Sequence, residues 1–389
     1  GFSEETTYTV SGQLKTYYEF LNVIGVLKSD FLTADDYDTP LTREEFLVLM
    51  FRLLNFNFDD SGSSAGDLIL NDKDNMQIYD DYTYKSPGEG GSSAQIKYEP
   101  VMWFVDVPVE NPNFYFVSMA LGMGMISGNS EKRFYPEKVI SFNEGIKMLI
   151  STLGYRVFAE NKGGYPTGYL QIANTLSLNK GLDITKPNIS REDCVKLLYN
   201  ALFADYAVSN AVDSFEIVKG KTILTERFKI TKANGVVNGN EFTDFYDNAQ
   251  TGENELIIGT NTYDTGDTKD SYALLGYNVD YYYCNDPNDI KYNHLIYLSK
   301  NDKNSELMIK NEDFISYHNK TITYQTDDEK MRNIAISGAV VLYQGRMVVD
   351  YNIFDHLKSG SIRLIDNNHD NKYDVVSVTS YDTIVVDRI

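Results

Sequence analysis

Three stretches of the chain are variants of one pattern: LTREEFLVLMFRLL at 41–54, ISFNEGIKMLISTL at 140–153 and ISREDCVKLLYNAL at 189–202. An internal repeat constrains a fold more than any single residue does, because a supersecondary unit that cannot bury its apolar face alone must stack against its copies. Each copy opens on a hydroxyl residue, Thr42, Ser141 or Ser190, and an acid follows three positions later: Glu45, Glu144 or Asp193. The hydroxyl accepts from an early helix amide while the acid reaches back to the cap, so each copy is predicted to start a helix, with Asp193 a shorter version of the same device. Phe46, Leu49, Met50 and Leu53 in copy one, Ile146, Leu149, Ile150 and Leu153 in copy two, and Cys194, Leu197, Leu198 and Leu202 in copy three recur at helical spacing, which commits one face of each helix to a core.

Ahead of each capped helix lies a second helical stretch with glycine or a polar turn at its end: YYEFLNVIGVLKSD at 17–30, VSMALGMGMISGNS at 117–130 and GYLQIANTLSLNKGL at 168–182. The offset from Ile140 to Ile189 is 49 residues, and that from Leu41 to Ile140 is 99. The extra length is an Asp-, Ser- and Gly-rich insertion at 57–101, so the repeats are placed at 8–56, 102–155 and 163–206.

Together with FVDVP at 104–108, GMISG at 124–128, FYPEKVIS at 134–141 and TREE at 42–45, this pattern resembles the S-layer homology family of Gram-positive cell-surface proteins, over residues 8 to 206. The resemblance implies an all-α, pseudo-threefold bundle whose inter-repeat grooves hold a secondary cell-wall polysaccharide, often through a pyruvylated sugar. A ketal-linked pyruvate presents a carboxylate that a guanidinium can hold through two parallel hydrogen bonds, beside a helix N-terminus of partial positive charge. Carried onto this sequence, the glycan site comprises Arg43 and Arg191, the caps Thr42 and Ser190 beside them, and Gly124 and Gly128 of the glycine turn. Two departures stand out. Copy two has Phe142 where the family carries Arg, and Trp103 precedes FVDVP where the family's His-Trp pair would follow it. Tyr17, Phe114, Tyr115 and Tyr165 are the aromatic residues that could stack on sugar, core packing being the simpler role for each.

The net charge of −21 excludes a nucleic-acid-binding role, which needs a basic footprint. It also repels an anionic glycan, so local arginines or bound cations must offset the field. Cys194 and Cys284 read as two unpaired small hydrophobes rather than a disulfide framework. No apolar run approaches the roughly 20 residues of a membrane span. The chain opens on Gly1 without a charged leader, so any signal peptide is expected to have been removed or omitted, and export is what the resemblance implies.

Beyond residue 207 the texture becomes β. TILTERFKI at 222–230, ELIIGTNTY at 255–263, NVDYYYC at 278–284, HLIYLS at 294–299, KTITYQ at 320–325, AVVLYQ at 339–344, SIRLI at 361–365, YDVVSV at 373–378 and TIVVD at 383–387 are predicted strands, with hairpin turns at Asn234-Gly235 and Asn238-Gly239. Two barrel or sandwich modules are expected, 207–302 and 303–389, joined by the polar stretch SKNDKNSE; the half resembles β segments that follow such triplets in clostridial surface proteins. One loop here carries chemistry. DNNHDNKYD supplies oxygens from Asp366, Asn368, Asp370 and Asp374 and a carbonyl at Lys372, a donor set suited to calcium, with Asn371 at the turn where such loops use Gly. A polar hairpin loop doing turn work accounts for the same residues.

No Ser-His-Asp set, phosphate-cradling loop or metal-spaced histidine pair emerges, and the chain is expected not to be an enzyme. The sequence therefore points to an α+β multidomain surface protein, its triplet attached to wall polysaccharide and its β modules displayed outward. A self-assembling structural subunit that uses the triplet for protein contacts is the second reading, and an anchored enzyme with its catalytic domain outside this sequence the third.

Overall fold

A computed structural model describes residues 12–56, 102–211, 214–246, 251–268 and 270–381. The insertion at 57–101 and the predicted strand at 383–387 lie outside the described residues. The chain is mixed α+β and forms two compact units, residues 1–229 and 230–389.

In the first unit the helices are α1 (Gly12–Val23), α2 (Arg43–Leu53), α3 (Phe114–Gly122), α4 (Phe142–Thr152), α5 (Arg156–Asn161), α6 (Thr167–Thr175), α7 (Arg191–Leu202) and the short α8 (Ile223–Glu226), with the antiparallel pair β1 (Asp205–Ala211) and β2 (Ser214–Thr222) ahead of α8. The three repeated stretches are α2, α4 and α7. All three begin in complete capping boxes: Thr42, Ser141 and Ser190 accept from the amides of Glu45, Glu144 and Asp193, whose carboxylates accept from the cap amides in return. The periodic apolar residues are inside, with Phe46, Met50, Ile146, Leu149, Leu197 and Leu198 wholly buried. The upstream partners are α1, α3 and α6, each packed on a repeat helix: α1 on α7, α3 on α2 and α6 on α4.

The segment 222–230 departs from expectation. Thr222 caps α8, and the next strand begins only at Ile230. Threonine at a cap satisfies orphan helix amides, which outweighs the β propensity of Ile223.

The second unit contains two five-stranded sheets. The first has the order β5-β4-β3-β6-β7, from β3 (Ile230–Gly239), β4 (Glu255–Ile258), β5 (Asn261–Asp264), β6 (Asn278–Cys284) and β7 (Leu295–Lys300), all antiparallel. The second has the order β13-β12-β15-β14-β8, from β8 (Ser305–Lys310), β12 (Val340–Tyr343), β13 (Arg346–Met347), β14 (Ser361–Asp366) and β15 (Val375–Thr379), with β12 and β15 parallel. A three-stranded sheet comprises β9 (Phe314–His318), β10 (Thr321–Gln325) and β11 (Met331–Ala335). Among the described residues neither five-stranded sheet closes on itself, so the expected barrels are open sheets.

Both Asn-Gly pairs lie inside β3 rather than at hairpin turns. Asn234 and Gly235 pair with Asp280 and Val279 in the middle of a long ladder, and the Asn238 amide donates to the Gly259 carbonyl at 2.9 Å. A side chain at Gly235 would stand 3.2 Å from Ile258 Cγ2, so glycine here admits a neighbouring strand. The stretch 255–263, read as one strand, is the hairpin β4–β5 turning at Gly259, where φ is +61°.

The polar stretch after residue 299 is a short turn between β7 and β8. Asn304 Oδ1 accepts from the Asn278 amide at 2.8 Å and its Nδ2 donates back to the Asn278 carbonyl at 2.6 Å, which pins the turn to β6. Residues on both sides of this turn share one core: Val237, Leu256, Tyr281 and Leu295 from the first sheet with Leu342, Ile365 and Val375 from the second. Ile309, Ile322, Phe354, Ile362, Leu364 and Val376 form a separate core with the three-stranded sheet.

Candidate functional site

The three helix starts in the first unit are bound to one another in a closed cycle. The Arg43 and Glu44 amides donate to the carbonyls of Lys138 and Pro136, which precede the second cap; the Phe142 amide donates to Pro187, which precedes the third; and the Arg191 and Glu192 amides donate to Thr39 and Tyr37, which precede the first. Isolated bridges Thr42–Val139, Ser141–Asn188 and Pro40–Ser190 follow the same order. Each helix N-terminus thus has orphan amides satisfied by the loop ahead of the next copy, where a single helix would need water.

The side chains repeat the cycle. Arg43 Nη1 lies 3.1 Å from Glu144 Oε1, its Nε donates to the Phe134 carbonyl at 2.9 Å, and its guanidinium sits 5.0 Å from the Phe134 ring centroid. Arg191 Nη2 lies 3.1 Å from Glu45 Oε1, with the guanidinium 5.0 Å from the Phe31 ring centroid and Nε 3.7 Å from Asp36. Each arginine therefore reaches the capping acid of the following copy while stacking on an aromatic face. The other oxygen of each acid holds its own cap amide, at 2.8 Å for Glu45 and 3.0 Å for Glu144.

Phe142, in the arginine's place, is buried. The acid it would have met, Asp193, is paired instead with Lys186, whose Nζ is 3.3 Å from both carboxylate oxygens. Lys138 plays the equivalent part beside Glu144, at 3.6 Å. Burial works to raise the Glu144 pKa, but the Ser141 amide, Arg43 and Lys138 outweigh it and hold the carboxyl below its ordinary value.

Of the residues carried over by resemblance, Thr42, Arg43, Ser190 and Arg191 come together in this cycle. Gly124 and Gly128 sit elsewhere, on the turn after α3. Gly124 has φ +72°, and a side chain there would strike Arg156; one at Gly128 would strike the indole of Trp103, which packs on that glycine and is 46% exposed. Of the four proposed stacking aromatics, Phe114 is buried, and Tyr17 is stacked on Tyr199 with ring centroids 3.6 Å apart. Tyr165 is exposed, with Lys147 Nζ 5.3 Å from its ring centroid. Sequence reasoning missed Phe31 and Phe134 as the faces beneath the arginines. FYPEK contained the signal for one of them: Asp106 of FVDVP accepts from the amides of Phe134 and Tyr135 at 2.9 and 2.8 Å, which explains why the two motifs travel together.

The loop joining β14 and β15 brings carboxylate oxygens of Asp366, Asp370 and Asp374 within 4.8 Å of one another. Asp366 is buried and accepts from the amides of Asn368, His369 and Asn371 at 3.2, 2.8 and 2.9 Å. These amides outweigh the effect of burial and hold its pKa down. Asp374 goes the other way, pushed up by burial and by the charges of Asp370 and Asp366. Asn371 takes φ +66°, the left-handed conformation that glycine supplies in tighter loops. Asn368 accepts from the Asp370 amide and Asp370 from the Lys372 amide. The loop is thus self-satisfied as a turn, while its three clustered carboxylates would suit a hard divalent cation.

No family model matches the chain. Over 120 residues it is 31% identical to a middle cell wall protein of Brevibacillus brevis, covering 30% of this chain and 11% of that relative. It is 28% identical over 120 residues to a surface layer protein of Brevibacillus choshinensis, covering 30% of this chain and 10% of the relative. The chain matches only about a tenth of the length of each curated relative. Both names belong to the cell envelope and neither is an enzyme's. The shared sequence supports an extracellular location, in the cell wall or surface layer of a Gram-positive bacterium, and a structural role there. No helix among the described residues is long and apolar enough to cross a membrane.

Proposed function

We propose that the first unit is a pseudo-threefold attachment module, similar to the S-layer homology family, that holds a secondary cell-wall polysaccharide and fixes a surface-layer-type protein to the wall. The observation that carries this reading is the pair of equivalent guanidinium sites at Arg43 and Arg191, each stacked on a phenylalanine and each at a helix N-terminus. A guanidinium has five N–H groups, so a ligand carboxylate, such as that of a pyruvylated sugar, can share the cation with the capping acid that orients it. The third groove carries Phe142 in place of arginine and is read as non-binding. Co-sedimentation of the full chain with purified wall sacculi tests this: retention on intact sacculi and loss on polysaccharide-stripped sacculi are expected.

A second reading, self-assembly through the triplet, is favoured by one feature. Both arginines already have acidic partners at 3.1 Å, so the cycle is stable without a glycan. Filaments or sheets seen by electron microscopy in the absence of wall material would support it. For the second unit we propose that the loop from Asp366 to Asp374 takes calcium through Asp366, Asn368, Asp370, Asp374 and the Lys372 carbonyl, because the clustered carboxylates repel one another.

A further inference from the structure

The second unit contains a cavity of about 300 Å³, apart from the residues proposed for wall attachment and lined on one side by Phe242, Tyr272 and Tyr277 and on the other by Gln344, Arg363 and Ser377. Strand alternation explains why it exists. Arg363 pairs with Ser377 and Ile365 with Val375 across β14 and β15, while Leu342 pairs with Ser377 and Val340 with Val375 across β12 and β15. The row containing Val375 and Ile365 is sealed into the core shared with the first sheet. The next row places a guanidinium and a hydroxyl where that core would continue, and such side chains do not close an apolar interface. The opposite face of the same sheet is filled by Ile362, Leu364, Val376 and Val378, so it offers Arg363 no second outlet.

The arginine is incompletely satisfied. Its Nε is buried without a hydrogen-bond partner, a state that native structures rarely keep unless a ligand or water completes it. The rest of the guanidinium meets the Tyr277 hydroxyl, and that hydroxyl donates in turn to Glu306, which lies 3.7 Å from Lys300. The far wall is aromatic. Phe242, half exposed, meets Tyr272 edge to face with centroids 6.1 Å apart, and Arg346 stacks on Phe242 at 5.3 Å, adding a second positive charge beside the cavity.

We propose that this cleft binds one carboxylate-bearing sugar ring of the uronic-acid class. The planar fork of Arg363 takes the carboxylate, the hydroxyls of Ser377 and Thr379 meet ring hydroxyls, and the Phe242–Tyr272 corner covers the apolar face of the sugar. The volume lies at the small end of the range for ligand pockets, roughly 300–1,000 Å³, which suits a single ring rather than an extended chain. Wall attachment through Arg43 and Arg191 is a separate matter, and the probes below report on this cleft whether or not that attachment holds.

Titration calorimetry of the full chain with glucuronate, glucose and inorganic phosphate tests the proposal. Saturable glucuronate binding is expected, with glucose and phosphate each weaker by about tenfold or more, because neither combines a carboxylate with a ring. Arg363→Met should weaken glucuronate binding by about tenfold or more through loss of the charge-assisted pair. Phe242→Ala, at a half-exposed position that leaves the fold intact, should weaken it several-fold and keeps the test decisive if the arginine variant does not fold. Absence of saturable glucuronate binding, equal binding of glucose or phosphate, or undiminished binding by either folded variant would overturn it.

Discussion

Arg43 of the first repeat and Glu144 of the second form an ion pair at 3.1 Å in which the acid also caps its own helix, so one carboxylate fastens two copies together. Arg191 and Glu45 repeat the arrangement between the third copy and the first. Both arginine side chains are less than a fifth exposed, at 18% and 19%. Arg43→Ala should therefore cost about 1–3 kcal/mol, as expected for charge-assisted bonds in a partly desolvated setting. Lys186→Ala should cost a similar amount, about 1–3 kcal/mol, because, although Lys186 is half exposed, its partner Asp193 is buried and would lose its cation. Denaturant titration of wild type and both variants checks the two costs.

The same pair predicts a pH dependence. Glu144 has its folded pKa held below the ordinary 4.5, so its stabilising contribution is complete above that value and is lost as pH falls through the lower, folded pKa. Unfolding free energy should decline on acidification below pH 4.5, and the decline should be shallower in Arg43→Ala. An identical slope in both proteins would assign the acid sensitivity to other carboxylates.

Two glycines predict opposite outcomes for one substitution. A Cβ at Gly168 in α6 would stand 1.9 Å from the Ala159 carbonyl oxygen, whereas one at Gly122 in α3 meets nothing within 4 Å. Gly168→Ala should destabilise by about 1–3 kcal/mol through overpacking. Gly122→Ala should be neutral or stabilise by up to about 1 kcal/mol through helix propensity. Thermal melts of both variants decide it.

The acidic loop predicts a ligand effect. Asp374 has its pKa raised by burial and by Asp370 and Asp366, so its contribution favours folding at low pH and is lost as pH rises through the raised value. Calcium at neutral pH should reverse that loss and raise the melting temperature, and Asp370→Asn should abolish the rise. A melting temperature indifferent to calcium and chelator alike would leave the loop as a turn only.

The repeats, their capping boxes and their buried faces were legible because capping and amphipathic spacing are local in sequence. Strands such as Asn278–Cys284 and Ser361–Asp366 were legible for the same reason. The cycle itself was not, since it joins Arg43 to Glu144 and Arg191 to Glu45 across about a hundred residues or more and uses carbonyls that any residue supplies. Phe31 and Phe134 carry no local signal for a guanidinium partner, since the arginines that stack on them come from distant parts of the chain. The Asn-Gly pairs misled because tertiary neighbours, Ile258 at Gly235 and Ile257 at Gly239, needed the space that turn glycines leave. Cys194 and Cys284 are free and buried, as two small hydrophobes would be.

The most direct test of the attachment account is the retention of Arg43→Lys plus Arg191→Lys on intact wall sacculi, measured beside the wild-type chain at equal folded fraction. Lysine keeps the charge but lacks the planar fork, so retention should fall about tenfold or more if two charge-assisted bonds are lost at each site. Retention equal to wild type would contradict a polysaccharide site at these arginines.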